Sequence, residues 1–489
     1  NEPDRFVTWA GGFSWAIPAG ARNEAGAWEF IKFATSTEAR LIENRSQAAW
    51  ERLRGRRYIP RLLGSAEANE ALFREFRPEQ ERFADALRSH IDLMPVGRIR
   101  PVTFVGQPLW DQHVRAMENA LYGTMTPKES LLAGQVVVQR KLDTFFRRTE
   151  NPTIDMRLPV YISAAVGLIA GILCYILYAR QRLQKLARHE ARWAYTFILP
   201  WLIGFGIFTL GPMITSLFFS FTEYNVLSDA RWVGVRNYTD LWEADRESIQ
   251  RALFNVLYLG GIGVPLGLMT GLAIAMLLNA AVRGMRYYRT FFYMPAIVPG
   301  VASAVLWIWL LTSDPNKGLI NSFWFGTISQ WFGMPPPSWL SSPEWSKPSL
   351  VFMGLWGAGS GMILWLAGLK GIPNTLYEAA SLDGANAGQQ FKNVTLPMLS
   401  PIIFFNTVMG FIGALQEFDR VYIMRPQEGS AGPADSLLTP VYHLFTHGFS
   451  YFSMGYASAM AWLIFAIILL LTLFQFKLAP RWVHYEADR

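Results

Sequence analysis

The sequence predicts an all-α bundle of seven membrane spans, preceded by a segment built for water. Composition is the first of three observations behind this: of 489 residues, 51% are hydrophobic and only 17% charged, with 34 Phe and 19 Trp. The second is that charge avoids the long apolar stretches. Crossing a hydrocarbon core of about 30 Å takes about 20 apolar residues as helix, and an open sheet edge finds no hydrogen-bonding partner there. The third is that basic residues gather in alternate loops.

The predicted spans are residues 158–178, 193–219, 252–278, 288–311, 350–369, 401–423 and 456–476. A buried soluble core is a poor rival, because it would have to hold several continuous apolar runs around Gly and Pro. Arg180, Arg182, Lys185, Arg188 and Arg192 lie between the first two spans, Arg283, Arg286 and Arg289 between the third and fourth, and Lys370 and Lys392 between the fifth and sixth. The positive-inside rule puts these loops in the cytoplasm, the N-terminal segment outside and the C-terminus, with Lys477 and Arg481, inside. The outer connections 222–250, 312–349 and 424–455 are rich in Trp, Pro, Gly, Ser and Asn, and 329–348 reads as an irregular cap. Topology accounts for the net charge of +7, so no nucleic-acid partner is needed.

Residues 1–150 are of another kind. Residues 24–43 carry an apolar stripe at Ala27, Phe30, Ile31, Ala34 and Leu41, residues 78–91 another around Phe83, Leu87 and Ile91, and a third runs from Pro127 through Leu131, Val136 and Val137 to Phe145. Such spacing describes surface helices of a water-soluble domain. Residues 151–192 then form an extra anchor span with a basic connector, and 193–489 the main membrane domain.

Within that domain a polar stretch reads Glu378-Ala379-Ala380-Ser381-Leu382-Asp383-Gly384-Ala385, followed by Leu396-Pro397. Pro373 can open a helix over 377–382, Gly384 can end it, and 389–396 can form a second short helix stopped by Pro397 and Pro401. The plain alternative is an amphipathic connector lying against the bilayer. The stretch closely resembles the EAA loop of binding-protein-dependent ABC importer permeases, a short helical hairpin gripped by the ATPase subunit. Residues 193–489 resemble the sugar (MalF-like) permeases of that group along almost their whole length. Asn255, Tyr293-Met294-Pro295, 300–309, Phe418-Asp419, Val421-Tyr422, Gly432-Pro433 and Gly455-Tyr456-Ala457-Ser458-Ala459 carry the likeness. The departure is at 425–436, where Arg425 and Glu428 stand in place of a Thr- and Gly-rich turn.

The resemblance implies a type I importer core of six spans behind the extra first one, coupled to ATP through 370–400. Glu378 would anchor a basic ATPase surface beside Ala379, Ala380 and Asp383, Gly384 would be the tight turn, and Leu396 and Pro397 the rigid exit. It also implies two ATPase subunits carrying ATP and Mg, a second and heterologous permease, and a solute-binding protein or fused domain outside the plasma (inner) membrane. No phosphate-binding Gly-x-x-x-x-Gly-Lys-Ser/Thr loop occurs in this chain, so no cofactor is expected on it, and no enzyme activity. Trp9-Ala10-Gly11-Gly12-Phe13-Ser14-Trp15-Ala16-Ile17-Pro18, with 27–33, resembles the C-terminal part of extracellular sugar-binding proteins. It implies a partial α/β lobe in which Trp9, Gly12 and Trp15 meet ligand or simply pack a core.

Polar candidates for the translocation path are Asn255, Tyr258, Asn406, Gln416, Glu417 and Asp419. Polar groups in spans usually face the bundle interior, and for Asn406 pore lining and interhelical bonding both stand. Hydroxyls, amides and aromatics suit a neutral sugar, and the spans show no convergent Arg or Lys pair for a phosphorylated solute such as glycerol 3-phosphate. His443 and His447 are four residues apart but show no third ligand, so no metal is expected. Cys174 is a lone apolar filler. Gly267 and Gly271 form a face of small residues for close helix contact. A membrane-anchored receptor or sensor would need a cytoplasmic output domain, for which the dozen residues after the last span leave no room.

Overall fold

The computed structural model describes residues 8–10, 15–53, 58–99, 103, 105–147, 151–180, 185–226, 228–280, 282–314, 316–424 and 430–484. The chain forms two compact units, Asn1–Phe104 and Val105–Arg489.

In the first unit β1 (Thr8–Ala10) pairs in parallel with β2 (Gly97–Ile99). Among the described residues four α-helices lie between them: α1 (Glu24–Thr35), α2 (Thr37–Leu53), α3 (Ala66–Glu75) and α4 (Glu81–Leu93). The stripe over 24–43 is split between two helices. Ser36 donates its hydroxyl to Phe33 O and accepts from Ala39 N, so it ends α1 and opens α2. Leu87 and Ile91 of the predicted stripe are buried in α4 together with Ala84, whereas Phe30 and Phe83 stay exposed.

The second unit opens with a helical pair, α5 (Gly106–Leu121) and α6 (Pro127–Arg147), followed by α7 (Leu158–Arg180) and α8 (Lys185–Phe205). The buried face of α6 includes Ser130, Gly134 and Val138, and Leu131 and Val136 of the predicted stripe are exposed. Gly134 lies at the close approach of this pair: a Cβ there would stand 3.3 Å from Gln112 of α5, tighter than an ordinary van der Waals contact. A π-turn (Gly206–Leu210) carries α8 into α9 (Gly211–Phe219). The antiparallel ribbon β3 (Thr222–Asn225) and β4 (Ser228–Trp232) leads to α10 (Arg236–Glu243) and α11 (Arg246–Tyr258), and a second π-turn (Leu259–Gly263) joins α11 to α12 (Val264–Asn279).

Among the described residues, five helical runs are long and apolar enough to cross a membrane: His189–Phe219, Arg246–Asn279, Pro343–Gly371, Ala387–Met424 and Met454–Arg481. The predicted fourth span is broken. Helix α13 (Met285–Tyr293) passes through a short 3-10 turn into α14 (Gly300–Leu310), and the two halves meet at 98°, which makes a sixth crossing only if counted as one span. Pro299 holds the preceding Val298 in the extended region, ψ 124°, and ends the first half there. Of the predicted first span, 158–169 is a shorter apolar helix, and the Cys174 side chain lies outside the described residues.

After α14 come α15 (Leu319–Gly326) and α16 (Ile328–Phe332), so the cap expected to be irregular is partly helical. Then follow α17 (Pro343–Trp356), α18 (Met362–Gly371), α19 (Asn374–Leu382), α20 (Ala387–Gln390), α21 (Leu396–Leu415), α22 (Asp419–Met424), α23 (Pro440–Phe445) and α24 (Met454–Leu478). One buried core joins α11, α14, α17 and α22 to the loop 431–438 through Ala252, Trp307, Leu311, Leu350, Val421, Leu437 and Leu438. A second joins α12, α18 and α21 through Leu272, Ala275, Trp365, Leu366 and Leu399.

Small residues let these helices approach. At Gly271 an added Cβ would stand 3.1 Å from the Trp365 indole, whereas at Gly267 it would meet nothing within 4 Å, so only one of the two expected glycines makes the contact. At Gly455 a Cβ would fall 1.9 Å from the carbonyl oxygen of Thr222, and at Gly413 it would meet nothing. Gly455→Ala is therefore expected to cost about 1–3 kcal/mol, and Gly413→Ala to be neutral or stabilising by up to about 1 kcal/mol. Thermal unfolding in detergent measures both.

Candidate functional site

The hairpin 372–396 is built from both ends. Pro373 stands at the N-cap of α19, as expected, and Gly384 at φ +80° turns the chain out of it. Asn386 and Gln389 form a capping box that starts α20. Gln390 then locks the two helices, its amide donating to Ser381 Oγ at 2.9 Å and Ala385 O at 3.1 Å. Tyr377 meets Thr395 through their hydroxyls at 3.0 Å. Pro397 and Pro401 do not stop the chain as expected. The π-turn Phe391–Thr395 carries α20 into α21, Pro397 sits in the first turn of α21, and the carbonyl of Pro397, which a Pro at 401 cannot bond, accepts from Ser400 Oγ at 2.6 Å.

One face of this hairpin is tied down and the other is free. Ile372 is buried in the second core, and Tyr377, Phe391, Val394 and Leu396 pack against it. Glu378, Ala379, Asp383 and Gly384 are exposed, Ala380 is half-buried, and Leu382 is 90% exposed at the tip. The face presents two carboxylates around an apolar tip.

At the other end of the same bundle a buried polar cluster holds α5 and α6 on the loops 430–451. Arg115 Nε of α5 is 2.6 Å from Asp435 Oδ2. Tyr451 donates its hydroxyl to Asp111 Oδ2 at 2.6 Å, and Ser430 Oγ donates to Glu118 Oε1 at 3.1 Å. Lys141 Nζ of α6 lies 3.8 Å from the centre of the Tyr451 ring. Burial pulls the Lys141 ammonium down to about 8, against the pull of Asp245 and Asp111, and burial with the Asp111 carboxylate beside it pushes the Tyr451 phenol well up. Asp245, just before α11, bonds His443 Nε2 and accepts from the Tyr456 hydroxyl at 2.9 Å, with His447 Nε2 at 3.7 Å. Burial opposes its charge, but the two imidazoles outweigh that and hold Asp245 far below the usual carboxylate range.

Asp245, His443 and His447 bring ligand atoms within 4.8 Å of one another. The third ligand missing from the sequence pattern is thus present in space, 198 residues away from His443. Nothing in the sequence between them signals this, because the pairing is made by the return of α23 and α24 onto α10 and α11.

The path candidates scatter. Asn255 is 1% exposed, and its amide nitrogen donates to Asp435 O at 3.1 Å and Leu438 O at 2.9 Å. Tyr258, one turn on, is half-buried against the first core. Asn406 bonds back to Ile402 O at 2.9 Å within α21. Gln416, Glu417 and Asp419 sit at the break between α21 and α22, where Glu417 pairs with Arg420, whose guanidinium also reaches Leu350 O at 3.2 Å. Trp15 is 55% exposed and meets Phe30 edge-on at 5.6 Å. Gly12 and the Trp9 side chain lie outside the described residues, as do Arg182, Arg425 and Glu428.

Sequence reasoning passed over Asp111, Arg115 and Lys141, which look like the solvated face of amphipathic helices until the partner loops are in place. Arg115→Met would leave Asp435 buried without its cation, so it is expected to cost about 3–5 kcal/mol and to release α5. Limited proteolysis across 105–147, followed beside thermal unfolding, checks this.

Comparison with known proteins bears on the bundle and its hairpin. Residues 263–484 match the family described as the binding-protein-dependent transport system inner membrane component. The chain is 43% identical over 295 residues to the probable ABC transporter permease protein YesP of Bacillus subtilis, covering 60% of this chain and 92% of that protein. It is 30% identical to the trehalose/maltose transport system permease protein MalF of Thermococcus litoralis, over 60% of this chain and 95% of that one. In structure it is similar to a chain of a bacterial alginate ABC transporter in complex with an alginate pentasaccharide-bound periplasmic protein, with a TM-score of 0.52 and 25% identity over 62% of this chain and 98% of that one. The chain therefore belongs to the binding-protein-dependent transport system inner membrane components, and is a multi-pass, non-catalytic permease subunit of an ABC import system for carbohydrates or other polar solutes.

Proposed function

We propose that the chain imports a carbohydrate, a mono- or oligosaccharide, forming half of the translocation path and drawing its energy from two separate ATPase subunits that grip the hairpin 370–400. The observation that carries this reading is the hairpin itself, bonded to the bundle on one face and offering Glu378, Asp383 and Leu382 on the other. A helix pair fixed on its inner side transmits displacement as a rigid body. Gly384 supplies its turn, and Leu396 and Pro397 join it to α21 without a flexible link. Closure of the ATPases on ATP would pull this hairpin and turn the bundle from inward-facing to outward-facing, and hydrolysis would reset it.

In this reading the hairpin and the basic loops face the cytoplasm, the N-terminal domain lies outside the plasma (inner) membrane, and a second, heterologous permease completes the path. Residues 1–150 represent the last portion of a MalF-type system's sugar-binding lobe, with 151–192 as its anchor. Covalent linkage through that anchor would keep the lobe at high effective concentration for the transporter. Asn255, Tyr258 and Asn406 contribute to the path, with Gln416, Glu417 and Asp419 at a helix break. The chain needs no cofactor, since Lys141 and Arg115 already supply positive charge around Asp245, His443 and His447. Glycerol 3-phosphate is the second reading, favoured by 28% identity to the sn-glycerol-3-phosphate transport system permease protein UgpA of Yersinia pestis, over 95% of that protein.

The expected outcome is ATP-dependent uptake of one saccharide class by vesicles holding the assembled complex, reduced at least tenfold by Glu378→Ala while assembly is unchanged. Uptake of glycerol 3-phosphate with no saccharide taken up would establish the second reading, and an assembly that turns over ATP equally well with either residue at 378 would remove the coupling role. Treatment with EDTA in the absence of ATP is expected to leave the melting temperature unaltered.

A further inference from the structure

Lys347, in the second turn of α17, is a cation without an anion. Its ammonium donates to Asn255 Oδ1 at 3.2 Å, and among the described residues no carboxylate pairs with it. The charge that bears on it is Arg251, another cation, whose own guanidinium is met by Glu247 at 2.8 Å and by Ala434 O at 3.1 Å. Two aromatic rings of α11 flank the ammonium, Phe254 at 5.4 Å and Tyr258 at 5.9 Å. Phe254 is 61% exposed.

This arrangement is held in place rather than incidental. Asn255 spends both amide hydrogens on Asp435 O and Leu438 O, so its carbonyl oxygen is oriented at Lys347. On the neighbouring turn of α17, Ser346 Oγ meets Ser436 Oγ at 2.7 Å and Ser349 Oγ donates to Trp339 O at 3.0 Å, which fixes the rotation of the helix. An ammonium has three hydrogens to donate, and among the described residues only one is taken, by Asn255 Oδ1. In a spanning helix an ionisable group without a partner is costly against lipid and faces a bundle interior or water-filled path instead. Aromatic rings beside a cation are what an acidic sugar requires: the rings accept the apolar face of the pyranose and the ammonium meets the carboxylate.

We propose that Lys347, with Phe254 and Tyr258, is a recognition point for the carboxylate of a uronic acid residue, so that the imported solute is an acidic oligosaccharide rather than a neutral one. This rests on the reading of the chain as a saccharide permease. The sequence hides the site because Lys347 and Asn255 are 92 residues apart on different helices.

The test is paired uptake of trigalacturonate and maltotriose by proteoliposomes holding the whole complex. The unaltered complex is expected to favour trigalacturonate. Lys347→Gln should lower the ratio of trigalacturonate to maltotriose uptake at least tenfold, and Lys347→Arg should restore it to within about threefold. Lys347→His should recover trigalacturonate uptake as the pH falls from about 7.5 to about 5.5, because the imidazole gains its charge in that window, with no matching change for maltotriose; this comparison within one protein stands even if Lys347→Gln fails to assemble. Preference of the unaltered complex for maltotriose, a ratio unmoved by Lys347→Gln in an assembled complex, or a flat pH response of Lys347→His would overturn the proposal and leave Lys347 as a side chain reaching interfacial water. Uptake of neither trisaccharide by the unaltered complex would instead sink the saccharide reading itself.

Discussion

Asp435 is where three otherwise separate parts of the second unit are joined. Its carboxylate takes the Arg115 guanidinium from α5 on one oxygen and the Ala431 backbone N–H on the other, and its carbonyl accepts from Asn255 of α11. It is 3% exposed, and both it and Ala434 hold positive φ, 55° and 49°, conformations that cost about 1–3 kcal/mol each outside glycine. A buried carboxylate in a strained turn persists only because its partners over-determine it. Remove the cation and the turn loses its reason to exist; relax the turn and Asn255 no longer points its carbonyl at Lys347.

The membrane bundle is organised by a different constraint, the need to satisfy every backbone polar group without water. Breaks in the helices therefore occur where something replaces the lost bond. Ser400 serves Pro397, and the carbonyls freed beside the π-turns at Gly206–Leu210, Leu259–Gly263 and Phe391–Thr395 are re-paired one residue further along. Each of these three π-turns lies next to a Pro at the start of the following helix, Pro212, Pro265 and Pro397, so a sequence feature that ends soluble helices here only shifts their register. This is why the hairpin and α21 are one stiff path.

Five of the seven predicted spans were legible because their signal is one-dimensional: twenty apolar residues are a property of the chain regardless of its partners. Pro373 and Gly384 were legible because φ preference is local, and Leu87 and Ile91 of α4 because they lie on both its stripe and its buried face. The reading failed where contact, rather than period, decides. In α6 the apolar stripe through Leu131 and Val136 is exposed, and the buried face contains Gly134 because α5 must approach there. At 288–311 the apolar run contains a 98° bend that hydropathy averages away.

By itself the sequence determined that this chain crosses a membrane repeatedly, that a polar hairpin interrupts it between 370 and 400, and that no ATP-binding loop accompanies it. These follow from hydrophobicity, from Pro and Gly, and from a motif contiguous in the chain. Tertiary structure alone decided that Arg115 meets Asp435, that Asp245 joins His443 and His447, and that Lys347 stands beside two rings with no carboxylate among the described residues. The physical reason is that a buried charge is defined by its partners, and here every partner comes from a distant helix or loop.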